Sequence, residues 1–492
     1  MRLLRRSDHL TLLPAILCGA LFLAPVALAD DADDDAGDGT PVAAAYDTLP
    51  PDRAWRDSIG LSRIPAQFAG DGVTVALLDT GVTRTADLGD RVIARVDLSS
   101  ERDGYDRYGH GTHMNGLVAG DGGGSGGRWA GAAPGASIVS VKVAGWNGAT
   151  DVSMVLAGLE WIAAHRERYG IRVVNLSYGT DSSQKWSEDP LNLAVERLWR
   201  AGVVAVAGAG NRGDGGSKID KPADDPHVLT VGAADTRNTA TTADDVVAPF
   251  SSRGPTGEGV AKPDVVAPGV NLVSHRAPQS TVDLSRPLAR VDEWHVKGSG
   301  TSQAAAVVSG VVARMLDAAP ALTPDQVKAT LVGTTSPTLA GASGAGAGLV
   351  DAAAAVDASR AGRFAHAGQE LPLSSGTGAL DSSRGSFKPY TDWKEPGKPE
   401  QLSGEVDALG RPWSSSEWAA QPWTAQRWSE SAWARHATVA KGWDAVSPTA
   451  GWSGLGEDES SWIAKSWGDA GARGVPGWIA KSWGTAAWNS AP

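Results

Sequence analysis

The sequence predicts an α/β fold with a doubly wound, mostly parallel sheet, followed by a low-complexity, Trp-rich C-terminal tail. Strand-like and helix-like segments alternate from residue 53 to 358, and the strand-like runs are apolar at consecutive positions. Such strands are buried on both faces by helices, as in parallel sheets. Beyond residue 358 the composition shifts to Gly, Ser and Pro, and then to Trp.

The predicted elements follow one another in the order that a parallel sheet requires. Apolar runs predict strands at 73–79, 137–143, 172–176, 203–207 and 228–231. Residues 151–168 and 190–200 carry apolar side chains at helical spacing, so we predict a helix over each range. Thr323 to Gln326 opens the last helix of this region, with Pro at its first position and Gln placed for a capping box.

The N-terminal segment has the features of a targeting sequence. Three arginines precede an apolar stretch that ends in the small-residue cleavage pattern Ala27-Leu28-Ala29. We therefore predict a signal peptide over 1–29, an acidic spacer over 30–52 and a secreted protein. A membrane anchor is the alternative, which Pro14 and Pro25 disfavour. Later apolar stretches are shorter than the ~20 residues that span a bilayer, so we expect no membrane span.

The remaining chain divides by composition into the α/β region, 53–358, a Gly/Ser/Pro-rich linker, 359–405, and a Trp-rich repeat tail, 406–492. Tryptophans in the tail recur every five residues, at Trp413, Trp418, Trp423, Trp428 and Trp433. This period fits neither a helical nor a strand face, so we predict a poorly ordered tail. Alternatively, the indole rings attach the protein to a cell wall or matrix.

Charge and cysteine content exclude several classes of function. Asp and Glu number 56 against 44 Lys and Arg, giving a net charge of −12, which disfavours nucleic acid as a partner. The one cysteine, Cys18, excludes a disulfide framework and a cysteine-based metal cluster.

Four local motifs hold side chains suited to catalysis. Asp79 ends the first predicted strand, where open α/β sheets bind ligands. His110 lies between glycines in Gly-His-Gly-Thr-His, and Asn211 follows a later strand. Ser302 opens an Ala/Val-rich helix, whose first backbone N–H groups are free to face an anion.

Each motif alone has another interpretation. Apolar-Asp-Thr-Gly also marks aspartic proteases, but those need two such segments and this chain has one. His110 and His113 could bind a metal, although a third ligand is not apparent. A lone Asn in a turn such as Asn211 is usually structural, because Asn tolerates left-handed geometry.

Taken together, in the order Asp, His, Asn, Ser, the motifs resemble those of the subtilisin-like serine proteases over residues 53–358. Three further segments match: Asn175-Leu-Ser-Tyr-Gly179, Pro249-Phe-Ser-Ser-Arg-Gly-Pro255 and Lys262-Pro-Asp-Val-Val-Ala-Pro-Gly269. The resemblance implies a subtilisin-like fold and a secreted serine endopeptidase. Such an enzyme takes polypeptides as substrates and works through an acyl-enzyme intermediate.

The resemblance also implies roles for individual residues. Asp79 would orient His110, which takes the proton from Ser302, while the Asn211 side chain and the Ser302 backbone N–H hold the oxyanion. The substrate backbone would pair with Ser177, Tyr178 and Gly179. Tyr178 is bulkier than the residue usual at that position.

No cofactor is expected for the chemistry. Asp87 lies near the family's calcium-binding aspartate, which makes it a candidate ligand for structural calcium. Two other classes of function stay open: a catalytically inactive binding relative, and a wall- or matrix-binding protein whose main functional part is the tail.

Overall fold

The computed structural model describes residues 53–214, 219–391 and 400–444, together with two short strands at 447–448 and 478–479. The predicted signal peptide, 1–29, and spacer, 30–52, lie outside the described residues. Among the helices that are described, none combines the length and the apolar character needed to cross a bilayer.

The strands of the described residues form one large sheet and two small ones. Their bounds are β1 Thr74–Asp79, β2 Val92–Asp97, β3 Ser137–Lys142, β4 Ile171–Leu176, β5 Val204–Gly208, β6 Leu229–Asp235, β7 Val246–Val247, β8 Val265–Pro268, β9 Leu272–His275, β10 His295–Ser299, β11 Tyr390–Thr391, β12 Glu400–Gln401, β13 Thr438–Lys441, β14 Ser447–Pro448 and β15 Trp478–Ile479. The small sheets are β15-β10-β9 and β11-β12.

Helices cover the sheet and continue into the C-terminal part of the chain. The α-helices are α1 Ala54–Ser58, α2 His110–Ala119, α3 Val152–Tyr169, α4 Pro190–Arg200, α5 Thr281–Ser285, α6 Thr301–Ala318, α7 Pro324–Gly333, α8 Ala352–Arg360, α9 Leu380–Ser383, α10 Ser415–Ala420, α11 Ala425–Glu430 and α12 Ala432–His436. Short 3-10 helices span Leu61–Arg63, Gly89–Arg91, Gly123–Ser125, Pro287–Ala289 and Pro337–Leu339.

The large sheet has the order β14-β13-β2-β3-β1-β4-β5-β6-β7, with β8 also paired to β6. From β2 through β6 and β8 every pairing is parallel, whereas β13, β14 and β7 run antiparallel to their neighbours. Within the sheet, β3 and β2 lie on one side of β1, and β4, β5 and β6 lie on the other. This confirms the doubly wound, mostly parallel sheet, and it places the end of β1 where the strand order reverses.

Local sequence explains where the main helices start and stop. The Asp151 carboxylate accepts a hydrogen bond from Ser153 N–H (2.9 Å) at the start of α3, which ends at Gly170 with φ 64°.

Thr323 and Gln326 form the expected capping box ahead of α7. That helix is not the last of the region, because α8 follows it. Helix α6 is buried from Thr301 to Leu316, since its small Ala and Val side chains allow close packing against the sheet.

The segment predicted to be a linker packs closely on the sheet-bearing region. Arg384, at the end of α9, is buried, and its Nε donates a hydrogen bond to Asp151 Oδ2 (2.6 Å). The same guanidinium donates to the carbonyl oxygens of Gly404 and Val406. The part of the chain around Arg384 therefore belongs to the packed structure, and the expectation of a Gly/Ser/Pro-rich linker over 359–405 is wrong for this part.

The first part of the Trp-rich tail is also ordered, which corrects the prediction of a poorly ordered tail for residues 406–444. Trp418, Trp428 and Trp433 are each no more than 7% exposed and join the main hydrophobic core. Trp418 Nε1 donates to a carboxylate oxygen of Glu160 on α3. Strand β13 then adds antiparallel to β2 and lengthens the large sheet. The rest of the predicted tail lies outside the described residues, except for β14 and β15.

Candidate active site

The most direct contact of the site joins Asp79, the last residue of β1, to His110, the first residue of α2. Nδ1 of His110 lies 2.8 Å from Asp79 Oδ1 and 3.0 Å from Oδ2. Both side chains are buried. A carboxylate in this position fixes the orientation of the imidazole ring and stabilises its protonated form, so the ring is arranged to accept a proton at Nε2.

Asp106 supports this pair from the loop ahead of α2, and sequence reasoning missed it. Its carboxylate accepts hydrogen bonds from Gly109 N–H (2.7 Å) and Thr112 N–H (2.6 Å), so it satisfies the first N–H groups of the helix. Its Oδ1 also accepts from the Thr80 hydroxyl (2.7 Å), next to Asp79. An acid four residues before the histidine, placed to cap the helix, was a signal that could have identified it.

Lys142 brings a buried positive charge to the same edge of the sheet. It lies opposite Asp79 in the pairing of β1 with β3, and its Nζ donates to the carbonyl oxygens of Thr80 (2.8 Å) and Tyr105 (2.7 Å). Nζ also lies 2.8 Å from Glu101 Oε2. These contacts connect Lys142 to the loop that follows Asp79 and to the segment that carries Glu101 and Tyr105.

Gly111 allows helix α2 to approach the end of β1. A Cβ atom at this position would collide with the Gly81 carbonyl oxygen and lie 3.1 Å from Asp79 Oδ1. The glycine after His110 is therefore required by the closeness of the two backbones.

His113 does not form a metal pair with His110. Its Nε2 lies 3.2 Å from the Leu272 carbonyl oxygen, which fits a donated hydrogen bond. Burial, and to a lesser extent the charge of His110, lower the pKa of His113 to about 3. His113 is accordingly neutral at ordinary pH and acts as a packed donor.

Asn211 contacts Thr301, the residue before Ser302, at the start of α6. The Asn211 side-chain oxygen accepts hydrogen bonds from Thr301 N–H (2.8 Å) and the Thr301 hydroxyl (3.1 Å). This engages the amide oxygen and turns the amide NH2 group away from Thr301. Helices α2 and α6 pack against each other, which brings the elements that carry His110 and Ser302 together.

The segment expected to bind substrate, Ser177 to Gly179, follows β4 and lies beside Ser302. The Ser177 hydroxyl donates to the Ser302 carbonyl oxygen (3.3 Å), and the Asn175 side chain donates to that hydroxyl (3.0 Å). Tyr178 is only 3% exposed, and burial raises its pKa well above the usual value. Its side chain is therefore part of the packed interior, and a substrate could meet this segment only through its backbone.

Asp220 lies between this segment and the one that carries Asn211. A Cβ atom at Gly179 would lie 2.6 Å from Asp220 Cβ, and one at Gly210 would lie 2.5 Å from Asp220 Oδ2. Arg212 approaches the other carboxylate oxygen at 2.6 Å. Sequence analysis did not identify this ion pair, because its surroundings come from chain segments far apart in sequence.

Asp87, the expected calcium ligand, lies among nitrogen donors. Its Oδ2 is 3.4 Å from Nε2 of His275 and 4.0 Å from Nε2 of His295. Calcium is bound in proteins by oxygen atoms. The residues around Asp87 therefore do not fit calcium.

Comparison with known proteins agrees with the geometry. A family model described as the subtilase family matches residues 70–362. The chain is 42% identical over 270 residues to the serine protease AprX of Bacillus subtilis (strain 168), which covers 54% of this chain and 61% of AprX.

Two further relatives are subtilisin Savinase of Lederbergia lenta and M-protease of Shouchella clausii (strain KSM-K16). Each is 35% identical over 302 residues, or 60% of this chain, and the overlap covers 97% of Savinase and 69% of M-protease. The chain thus spans less than two thirds of AprX but nearly all of Savinase. Because the family model matches more than half of the sequence, the chain belongs to the subtilase family of serine peptide hydrolases.

Proposed function

We propose that this protein is an exported serine endopeptidase with Ser302 as nucleophile, His110 as general base and Asp79 as the group that orients the base. The observation that carries the proposal is the double approach of the Asp79 carboxylate to Nδ1 of His110, at 2.8 and 3.0 Å. It leaves Nε2 of the ring directed away from Asp79. Family membership and the packing of α2 against α6 support Ser302 as the group that meets it.

The proposed reaction proceeds through an acyl-enzyme. As the Ser302 oxygen attacks the peptide carbonyl carbon, its proton passes to His110 Nε2. His110 then gives this proton to the leaving amine, which departs and leaves an ester on Ser302. A water molecule hydrolyses the ester by the same proton transfers.

The oxyanion of the tetrahedral intermediate would be held by the Asn211 side-chain NH2 and the Ser302 backbone N–H. The orientation of the Asn211 amide by Thr301 supports this role, since the donor needs no rearrangement when charge develops. The Ser302 N–H lies in the first turn of α6, where backbone N–H groups lack a partner within the helix.

Polypeptides are the proposed substrates, paired in extended form along the backbone of residues 177–179. Export is proposed from the leader-like segment 1–29. N-terminal sequencing of the protein recovered from culture medium tests export: a start at residue 30 supports it, and confinement of the protein to the cells with residues 1–29 retained contradicts it.

Attachment to a cell wall or matrix is a separate proposal for the tail. Three of its indoles, Trp418, Trp428 and Trp433, are buried and cannot stack on sugar rings. The repeat at 461–468 and 477–484 lies mostly outside the described residues. Removing residues 445–492 should abolish retention on insoluble wall material if the proposal holds.

The test of the catalytic assignment is Ser302→Ala, measured by casein hydrolysis and by labelling with a serine-directed phosphonyl fluoride. We expect both to be lost while the thermal unfolding midpoint stays near that of the parent protein. Ser359→Ala is the matched control, because Ser359 is also a buried helical serine and donates only to the Ala355 carbonyl within α8. Wild-type hydrolysis by Ser302→Ala would overturn the assignment.

A further inference from the structure

A cluster of three buried side chains lies apart from the Asp79–His110 pair, between α2 and the β9–β10 hairpin. Its members are Asp87, His275 and His295, and their nearest ligand atoms all lie within 4.8 Å of one another. All three residues are at most 3% exposed. Nothing in the proposed peptidase mechanism uses this cluster.

Two of its polar atoms have no hydrogen-bond partner among the described residues. These are Asp87 Oδ2 and His275 Nε2, and both point into the cluster at a separation of 3.4 Å. Buried polar atoms are nearly always satisfied in native proteins, because an unpaired one costs about 1–3 kcal/mol. Both atoms are therefore available as ligand atoms.

The other polar atom of each side chain is held by a neighbour outside the cluster. Nδ1 of His295 lies 2.8 and 2.9 Å from the two carboxylate oxygens of Asp292, and Nδ1 of His275 lies 3.2 Å from the Thr85 hydroxyl. Asp87 Oδ1 accepts from Gly124 N–H (2.6 Å). A carboxylate behind a histidine is the arrangement that orients metal-binding imidazoles, because it fixes the proton on the far nitrogen.

We propose that Asp87, His275 and His295 bind a divalent transition-metal ion of the zinc type. Two imidazole nitrogens and one carboxylate oxygen form a donor set that zinc accepts and calcium disfavours. Ligand atoms around tetrahedral zinc lie about 3.4 Å apart, given bonds of about 2.0–2.1 Å. The separations of 3.4 and 4.0 Å from Asp87 Oδ2 need only a small contraction to reach this geometry. Three protein ligands leave a fourth position for water.

The ion would join two parts of the chain that carry different catalytic groups. A Cβ atom at Gly116 of α2 would lie 2.8 Å from the His275 ring, so the helix that begins at His110 packs directly on this ligand. His295 is the first residue of β10. This strand ends at Ser299, three residues before Ser302. The ion would thus stabilise the placement of α2 relative to the β10–α6 connection, without contact with substrate.

The chain contains a second buried histidine between two carboxylates, which supplies a matched control. Nδ1 of His227 lies 3.5 Å from Glu196 Oε1 and 3.4 Å from Asp225 Oδ1. Here a single histidine nitrogen faces both acids, so the cluster is an ion pair that offers one nitrogen ligand. Replacing His227 removes a buried, acid-flanked imidazole without affecting the proposed site.

The test uses the full-length chain carrying Ser302→Ala, so that the protein does not digest itself. The protein is stripped with a chelator, titrated with Zn²⁺ against a chromophoric competitor, and its metal content is measured by elemental mass spectrometry. We expect one Zn²⁺ per chain and a rise in the thermal unfolding midpoint that Ca²⁺ does not produce. Asp292→Asn should weaken Zn²⁺ binding about 10–100-fold while keeping all three ligands.

His275→Gln and His295→Gln should weaken binding more than Asp292→Asn does, whereas His227→Gln should leave the affinity within about twofold of the parent. If either ligand variant fails to fold, Asp292→Asn alone decides the matter. Substoichiometric zinc in the parent protein, unchanged affinity in Asp292→Asn, or equal weakening in His227→Gln would overturn the proposal.

Discussion

Asn211 shows how one side chain is oriented in the absence of substrate. Its amide oxygen is engaged by both the N–H and the hydroxyl of Thr301, which immediately precedes the proposed nucleophile. The position of the amide NH2 group is therefore tied to that of Ser302. A donor fixed in this way stabilises charge that appears only during the reaction.

We accordingly predict that Asn211→Ala lowers kcat with little change in KM. The expected loss is about 10²–10³-fold, a magnitude known for the equivalent donor of a subtilisin, which we adopt for this relative. Steady-state kinetics on a soluble peptide measures both constants. Asn192→Ala is the control, because Asn192 is a buried amide bonded to Asp224 and Asp225, away from the Asp79–His110 pair. An effect confined to KM would contradict the assignment.

His227 contributes a pH-dependent part of the stability. Burial by itself would lower its pKa, but the carboxylates of Asp225 and Glu196 outweigh burial and raise the pKa from the usual 6.5 to about 9. Burial also raises the pKa of Glu196 to about 7. Both shifts mean that these two groups bind more protons in the folded protein than in the unfolded chain, Glu196 between its usual pKa of 4.5 and about 7, and His227 between 6.5 and about 9. The stability that they contribute therefore falls as the pH rises through these windows.

We predict that the free energy of unfolding is higher at pH 6 than at pH 9.5, and that His227→Gln removes the part of this difference that His227 supplies. Urea unfolding of the Ser302→Ala protein at the two pH values measures it. His366→Gln, which replaces an exposed histidine, should leave the difference unchanged. An unaltered difference in His227→Gln would show that the imidazole is not the titrating group.

The candidate site residues that the sequence predicts all lie within recognisable motifs. Asp79, His110, Asn211 and Ser302 each have neighbours in sequence that identify them. Asp106 and Lys142 lie outside such motifs, because each acts through a contact made only when distant segments meet. His275 and His295 were missed for the same reason, since Asp87, His275 and His295 lie on separate segments of the chain.

At the level of elements, the five-residue spacing of tryptophans has a physical explanation that the sequence reasoning missed. Ser414 caps α10, Trp413 precedes the cap and Trp418 is the fourth helical residue; their rings lie 5.6 Å apart. A residue before the cap and the fourth residue of the helix form a hydrophobic staple, and these positions are five apart. Trp423, Thr424 and Trp428 occupy the same positions around α11.

A period of five matches neither the face of one long helix nor that of a strand, so it predicts disorder unless successive short helices are considered. Each unit is a one-turn helix with its own cap, which is too short to persist alone. The units gain stability by packing on α3 and α4, where Arg197 lies over the rings of Trp418 (5.6 Å) and Trp423 (5.1 Å). Tertiary contacts of this kind cannot be read from local spacing.

Arg384 forms a buried ion pair with Asp151, the N-cap residue of α3, and so connects the C-terminal segment (380–391 and 400–444) to that helix. We predict that Arg384→Met lowers the free energy of unfolding by about 3–5 kcal/mol, because Asp151 is left as a buried charge without its partner. Urea unfolding in the Ser302→Ala background measures the loss.

Arg360→Met provides the comparison, since Arg360 pairs with Asp357 at 3.6 Å on the exposed surface of α8. Such pairs contribute about 0–1 kcal/mol. Equal effects of the two substitutions would show that Arg384 does not stabilise the fold in this way.

At the scale of the whole molecule, the peptidase fold and the C-terminal segment share one core. A cavity of about 250 Å³ lies between them, lined on one side by residues such as Trp146 and Met154 and on the other by Tyr390 and Leu402. The C-terminal segment thus contributes surface to the catalytic unit, which differs from the division at residue 358 expected from composition.

We predict that a chain ending at Asp444 keeps peptide hydrolysis and its thermal unfolding midpoint, whereas a chain ending at residue 358 loses soluble expression or unfolds at markedly lower temperature. The shorter chain lacks Trp418, Trp428 and Trp433 and exposes the apolar surface that they cover. Removing one buried Trp side chain typically lowers the free energy of unfolding by about 3–5 kcal/mol. Activity assays and thermal scans of both chains decide this. Full stability of the 358-residue chain would contradict the shared core.

The pairing of β13 with β2 can form only late in the synthesis of the chain. Residues 94–97 form their outer hydrogen bonds with 438–441, which are synthesised about 340 residues later. At about 5–20 residues per second, the ribosome needs roughly 20–70 s to cover that distance. During that interval the outer edge of β2 has backbone N–H and C=O groups without strand partners, and such an edge can pair with a strand of another chain. A messenger RNA truncated before this point would yield a protein that contains Ser302 but whose strand β2 stays unpaired along its outer edge.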